Sequence, residues 1–265
     1  MDLPDYPTLK TDIAAPHVLR VTLNRPAVAN AINTQMGRDF LDLWTRLTED
    51  AGEIRCVILT GAGDRVFCAG ADLKERGGMA RAQWQRQHEL FERMYWALTD
   101  LPVPVIAAVN GHAYAGGFET ALSCDFAYAV KTARFALSEV TLGIMPGAGG
   151  TQNLPRAVGE RRAKEIIMTA RPFSAQQALD WGVVNEICEP DELMPRVLET
   201  ARTIAGNAPL SIRQVKKSVR YGMQMELRTA YRFEVEAYNH LVETEDRREG
   251  VAAFNEKRKP VFKGK

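Results

Sequence analysis

The sequence predicts an α/β fold, and three observations predict it. Short apolar strands alternate with amphipathic helices through the first two-thirds of the chain. Two of those strands are apolar without interruption, as in a parallel sheet covered on both faces. Beyond about Gly159 the strand patterns nearly vanish in favour of helices. Taken in order, residues 18–23 read as a strand broken by Asn24-Arg25-Pro26. Thr34 is the expected N-cap of a helix whose Met36, Phe40, Leu43 and Leu47 recur on one face. Residues 56–60 form a continuous apolar run ended by Gly61-Ala62-Gly63-Asp64, as expected of a central strand. An amphipathic helix over 83–98, a second buried strand over 103–109, a helix opening after Gly116 and a strand over 126–130 follow. This βαβ rhythm requires parallel strands and right-handed crossovers. Ser174 is placed to cap a short helix ending near Trp181-Gly182, and 183–187 reads as a last short strand.

The expected organisation is a core over 1–200 and a helical C-terminal region over 201–265. Residues 227–242 carry Tyr231, Phe233, Val235, Tyr238 and Leu241, more apolar surface than one helix face needs. Homo-oligomerisation is therefore expected. With 265 residues, 46% of them hydrophobic, the chain can bury a large core. A net charge of +1 gives no general attraction to nucleic acid or membrane, so any anionic partner must be recognised locally, although the tail 257–265 is basic. Four cysteines without a CxxC pair suit reduced, buried thiols, and an acidic, proline-bearing start with no long apolar run makes the cytoplasm the expected location.

Two glutamates dominate the candidate chemistry. Glu119 closes Gly116-Gly117-Phe118-Glu119, in the first turn of the helix that follows a buried strand; Glu139 ends Phe135-Ala136-Leu137-Ser138-Glu139. Taken singly, Glu119 reads as a complement to the positive helix end and Glu139 as a strand-end surface residue. As a pair they share a proton, so that one apparent pKa rises and both an acid and a base exist near neutrality. Two small-residue loops, Phe67-Cys68-Ala69-Gly70-Ala71-Asp72-Leu73 and Tyr114-Ala115-Gly116-Gly117, bring backbone N–H groups close to a ligand, and Asp72 is placed to cap the segment after it. One donor from each loop, converging on a carbonyl oxygen, stabilises an enolate. The four histidines lack ligand spacing and Ser138 lies in no GxSxG elbow, so metal and serine-hydrolase chemistries are not expected. Gly147-Ala148-Gly149-Gly150-Thr151 lacks the Gly-Lys-Ser/Thr of a phosphate loop and reads as a turn capping the helix before Leu154.

At these residues the chain resembles the enoyl-CoA hydratase/isomerase (crotonase) superfamily nearly end to end. The resembling segments are Leu23-Asn24-Arg25-Pro26, 67–73, 110–119, Cys124-Asp125, 135–139, 142–151 and 256–262. The resemblance implies a crotonase-like ββα spiral with a helical C-terminal subdomain, forming a trimer or dimer of trimers. It places the catalytic glutamates at Glu119 and Glu139 and the oxyanion-hole amides at Ala71 and Gly116. Coenzyme A, part of the acyl-CoA thioester substrate and not a separate cofactor, would lie along Ala69, Gly70, Asp72 and Leu73, with Arg25 and Gly117 also in contact. Phe254 and Lys257 would hold its adenosine phosphate end across a subunit boundary. The activity implied is reversible syn hydration of a trans-2-enoyl-CoA, with Glu119 activating water and Glu139 delivering a proton to the α-carbon. Double-bond isomerisation, carbon–carbon lyase action and dehydration of a carnitine-related thioester are the enzymatic alternatives; non-catalytic RNA binding is another. Three features depart from the common pattern: Ala115 replaces a third glycine, Tyr114 and Phe118 bring large rings expected to reshape the acyl pocket, and Gly77-Gly78-Met79 suggests a mobile pocket wall.

Overall fold

The computed structural model describes residues 3–265. In chain order it comprises β1 (Leu9–Ala15), β2 (Val18–Leu23), α1 (Thr34–Glu49), β3 (Cys56–Gly61), β4 (Val66–Cys68), α2 (Leu73–Arg76), α3 (Arg81–Asp100), β5 (Val105–Val109), β6 (His112–Tyr114), α4 (Gly116–Ser123), β7 (Phe126–Val130) and β8 (Arg134–Ala136). These are followed by α5 (Gly150–Val158), α6 (Glu160–Thr169), β9 (Phe173–Ser174), α7 (Ala175–Asp180), β10 (Glu186–Cys188), α8 (Leu193–Gly206), α9 (Pro209–Gly222), α10 (Leu227–Val242) and α11 (Glu245–Asn255).

The strands make two sheets, one ordered β1-β2-β3-β5-β7-β10 and the other β4-β6-β8-β9. Successive turns of the chain place one strand in each: β3 then β4, β5 then β6, β7 then β8. This is the expected ββα spiral. Within the larger sheet β3, β5 and β7 pair in parallel, Val57 opposite Val105 and Ala107 opposite Ala127. Every residue of β3 and β5 is buried, which accounts for their largely apolar sequence; the one hydroxyl, on Thr60, donates to the Ala108 carbonyl at 2.8 Å. Phe40 and Trp44 of α1 stack with centroids 5.3 Å apart and are fully buried.

Some boundaries differ from the sequence reading. Asn33, not Thr34, caps α1: its side chain accepts from the Met36 N–H at 2.9 Å, and Thr34 is the first helical residue. The last strand of the large sheet is shifted to Glu186–Cys188 because the chain must first turn after α7. The division drawn at 200/201 falls inside α8, whose buried Leu193, Val197, Ala201 and Ala205 form one stripe that packs on the β3, β5 and β7 strands. Residues up to Ala205 therefore belong to the core layer. Ser174 and Asp72 cap α7 and α2 as expected.

Candidate active site

The two small-residue loops meet. Gly70, at φ +92°, leads out of β4, and a methyl group placed on it would stand 2.9 Å from the Gly116 nitrogen and 2.9 Å from Ala115 Cβ. One on Gly117 would stand 2.1 Å from the Cys68 carbonyl oxygen. Only glycine allows this approach between the β4 loop and the start of α4. The loop after β4 is pinned by main-chain bonds to Ile32, which donates to the Gly70 carbonyl (2.8 Å) and accepts from Asp72 (2.9 Å). The Ala71 N–H lies between those bonds and takes no acceptor among the described residues; the Gly116 N–H, at the first position of α4, takes none either. The Ala71 nitrogen is 3.6 Å from where a Gly116 Cβ would be, so the two free amides are neighbours.

The surrounding contacts hold these amides in place. Tyr95 of α3 donates its hydroxyl to the Gly116 carbonyl at 2.8 Å and lies 3.1 Å from Thr120 Oγ1. Asp72 caps α2 and accepts from Arg25 Nη1 at 3.0 Å. Burial opposes ionisation of Asp72, but the guanidinium and the α2 amides hold its carboxyl below the ordinary value.

Neither glutamate occupies the bland position it would take alone. Glu119 is 2% exposed, and its Oε1 accepts from Ala148 N and Gly150 N, each at 2.8 Å. Gly150 is the first residue of α5, so the carboxylate sits at the positive end of a second helix rather than complementing its own. Burial raises its pKa and the two amides oppose the rise. Glu139 is 7% exposed at the start of a single 3-10 turn, Glu139–Leu142, and its Oε2 is buried without a hydrogen-bond partner among the described residues. Burial first, and then the charge of Glu119, raise its pKa to about 7. The two carboxyls therefore share one electrostatic environment while differing in their partners: one is held by two amides of another segment, and the other has an oxygen with no hydrogen-bond partner among the described residues.

The structure thus brings together Glu119, Glu139, Ala71, Gly116, Gly117, Ala69 and Gly70, with Arg25, Asp72 and Leu73 along the adjoining segment. It does not bring Phe254 and Lys257 to them. Phe254 is 84% exposed in the last turn of α11, which ends at Asn255, and Lys257 lies beyond it in the left-handed conformation, where a shared helical face does not exist. Phe118 is fully buried against Phe135 (5.3 Å) and Phe173 (5.6 Å), inside the core of the smaller sheet, so its ring has no exposed surface to offer a substrate. Two features escaped sequence reasoning. Tyr95 reads as one more apolar position of an amphipathic helix. The Ala148 and Gly150 amides lie in a segment legible only as a turn. The carboxylate that occupies them would have been the signal.

Comparison with known proteins agrees with this geometry. The sequence profile of the family described as enoyl-CoA hydratase/isomerase matches residues 14–265. YngF of Bacillus subtilis is 45% identical over 248 residues, covering 94% of this chain and 95% of YngF. The short-chain-enoyl-CoA hydratase of Clostridium acetobutylicum is 44% identical over 239 residues, 90% of this chain and 91% of that one. The crystal structure of an enoyl-CoA hydratase from Bacillus anthracis superimposes with a TM-score of 0.95 at 43% identity, over 97% of this chain and all (100%) of the other. With its spiral of paired sheets and its sequence matched almost from end to end, this chain belongs to the enoyl-CoA hydratase/isomerase, or crotonase, family.

Proposed function

We propose that the chain hydrates a trans-2-enoyl-CoA, adding water syn across C2 and C3 to give a 3-hydroxyacyl-CoA. The observation that carries this reading is the contrast between two neighbouring buried glutamates, Glu119 bonded to two amides and Glu139 with a bare oxygen and a pKa near 7. An amide-held carboxylate suits a base and a desolvated carboxyl suits an acid. Glu119 takes one proton from water as the remaining hydroxide joins C3, and Glu139 gives its proton to C2. The enolate that forms between these steps is held by the Ala71 and Gly116 N–H groups, a pair of donors whose individual loss costs on the order of 10²–10³ in rate. Proton exchange with solvent then resets both glutamates.

Coenzyme A belongs to the substrate and would lie along Ala69, Gly70, Asp72 and Leu73, with Arg25 bracing Asp72 from behind. The exposed Leu227, Tyr231, Val235 and Tyr238 on α10, with Val219 and Met223 beside them, support assembly into a trimer or dimer of trimers. In such an assembly Phe254 and Lys257 would meet the adenosine phosphates of a neighbouring copy's substrate. Four free cysteines suit a reducing cytoplasm. No described helix is long and apolar enough to cross a membrane.

The test follows loss of the conjugated-thioester absorbance of crotonyl-CoA, with Glu119→Gln and Glu139→Gln alongside. Activity that falls by more than a hundredfold in each variant supports the assignment. Activity within a few-fold of wild type in both would end it, and identification of the product separates hydration from double-bond migration. Light scattering that reports a monomer would overturn the assembly.

A further inference from the structure

One cation beside this site makes no salt bridge among the described residues, although the neighbouring Glu75 lies close enough to favour its charge. Arg76 ends α2, the single helical turn that starts just after Ala71-Asp72. Its side chain is half-buried, with the guanidinium carbon 5.7 Å from the Trp84 ring centre and 5.5 Å from that of Phe91. Its Nε donates to Gln87 Oε1 at 2.8 Å, and among the described residues its two terminal nitrogens take no acceptor and no acid lies within ion-pairing distance. The adjacent carboxylate, Glu75, directs Oε2 elsewhere, to the Thr34 N–H and Gln87 Nε2, each at 2.8 Å. Burial lowers the Arg76 pKa, the direction expected of a cation taken from water without full compensation.

Its position borders the reacting centre. Arg76 lies against Phe91, and one turn further along α3 Tyr95 donates its hydroxyl to the Gly116 carbonyl. Trp84 stacks on His88 with centroids 5.1 Å apart, and His88 Cε1 is 3.5 Å from where a Gly147 Cβ would stand, in the loop whose amides hold Glu119. Arg76, Trp84 and His88 thus form a strip from the Ala71 segment to the Glu119 loop. Exposed Leu73 and Ile144 border it with apolar surface. An acyl chain leaving the paired amides would run along this strip, and a planar fork packed against two rings, with its Nε engaged by Gln87, is preorganised for a carboxylate.

We propose that Arg76 recognises a carboxylate at the far end of the acyl chain, so that the preferred substrate is an enoyl-CoA derived from a dicarboxylic acid rather than a plain alkyl one. A distal anion would otherwise be repelled by Glu119 and Glu139, so the arginine sets the sign of the pocket's far end. The inference rests on the hydratase reading and extends it to substrate class.

The experiment compares kcat/KM for crotonyl-CoA and for trans-4-carboxybut-2-enoyl-CoA, which adds one carboxylate to the same enoyl thioester, in the wild type, Arg76→Met and Arg76→Lys. The wild type is expected to prefer the carboxylated substrate at least tenfold. The ratio of the two kcat/KM values should fall roughly 10–100-fold in Arg76→Met, the range for a lost charged hydrogen bond, and less in Arg76→Lys. Circular dichroism checks that each variant is folded, and the ratio is unaffected by the amount of active protein. Failure of the wild type to hydrate either substrate would sink the parent reading. Hydration of crotonyl-CoA at least as efficient as that of the carboxylated ester, with a ratio that neither variant moves, would overturn the role of Arg76 alone.

Discussion

Glu119 Oε1 is bonded to the amide of Gly150 at 2.8 Å, so a side chain of α4 is held by the opening residue of α5. The same oxygen accepts from Ala148. Glu119 is therefore held by a segment far along the chain, while its neighbour Glu139 buries an oxygen that has no hydrogen-bond partner among the described residues. This asymmetry has kinetic and thermodynamic consequences that can be measured separately.

The first is the pH profile. If Glu139 must be protonated to act, kcat/KM should fall as pH rises through about 7, the value to which burial and Glu119 raise its pKa. A steady-state profile of hydration from pH 5 to 9 checks this. A flat rate across pH 6–8 would remove Glu139 from the acid role.

The second is stability. Between the ordinary 4.5 and the folded value of about 7, the folded protein binds more protons at Glu139 than the unfolded chain. Stability contributed by this site is therefore present below the lower value and lost as pH rises through the upper one. Glu139→Gln removes that dependence. The variant should gain roughly 1–3 kcal/mol relative to wild type between pH 5 and pH 8, read from denaturant midpoints at the two pH values. An equal difference at both would show that the carboxyl carries no such strain.

The third concerns Gly70. Its φ of +92° and the 2.9 Å separation between an added methyl group and the Gly116 nitrogen leave no room for a side chain. Gly70→Ala should part the two free amides and lower kcat by a factor on the order of 10², with a smaller change in KM. Wild-type kcat in a folded variant would mean that the amides do not act together.

The fourth isolates Tyr95. Its hydroxyl shares the Gly116 carbonyl with Thr120 Oγ1, both at 2.8 Å. Tyr95→Phe therefore loosens the loop without freeing it. We expect a kcat reduced roughly tenfold and a stability loss of about 1 kcal/mol, measured by turnover and urea unfolding. Loss of stability with unchanged kcat would leave Tyr95 as a purely structural residue.

Much of this was legible in the sequence because it is local. β3 and β5 are largely apolar since both faces are covered, and the glycines at 70 and 117 mark backbone approaches that no other residue permits. The α1 cap was misplaced by one residue because Asn33 and Thr34 are both competent caps and only tertiary geometry selects one. Tyr95, the amides of the Ala148–Gly150 turn and the ring-packed guanidinium of Arg76 were not legible, since each gains its meaning from a partner distant in sequence. Phe118 misled for the opposite reason: its neighbours in sequence border the cleft, but its side chain points into the Phe135–Phe173 cluster.

The two free amides at Ala71 and Gly116 belong to the main chain, and that shields the donors from substitution at sites that do not move the loops carrying them, as a change at Gly70 would. Exchange of one side chain for another does not delete an N–H; only proline removes the donor itself. Under the hydratase reading, the polarising half of the chemistry is thus written in no side chain. If the α2–α3 strip selects the acyl group as proposed, codon changes along it alter which acyl group is accepted while the amides that hold an enolate remain. Selection for a new substrate can therefore begin from a catalyst that is already competent.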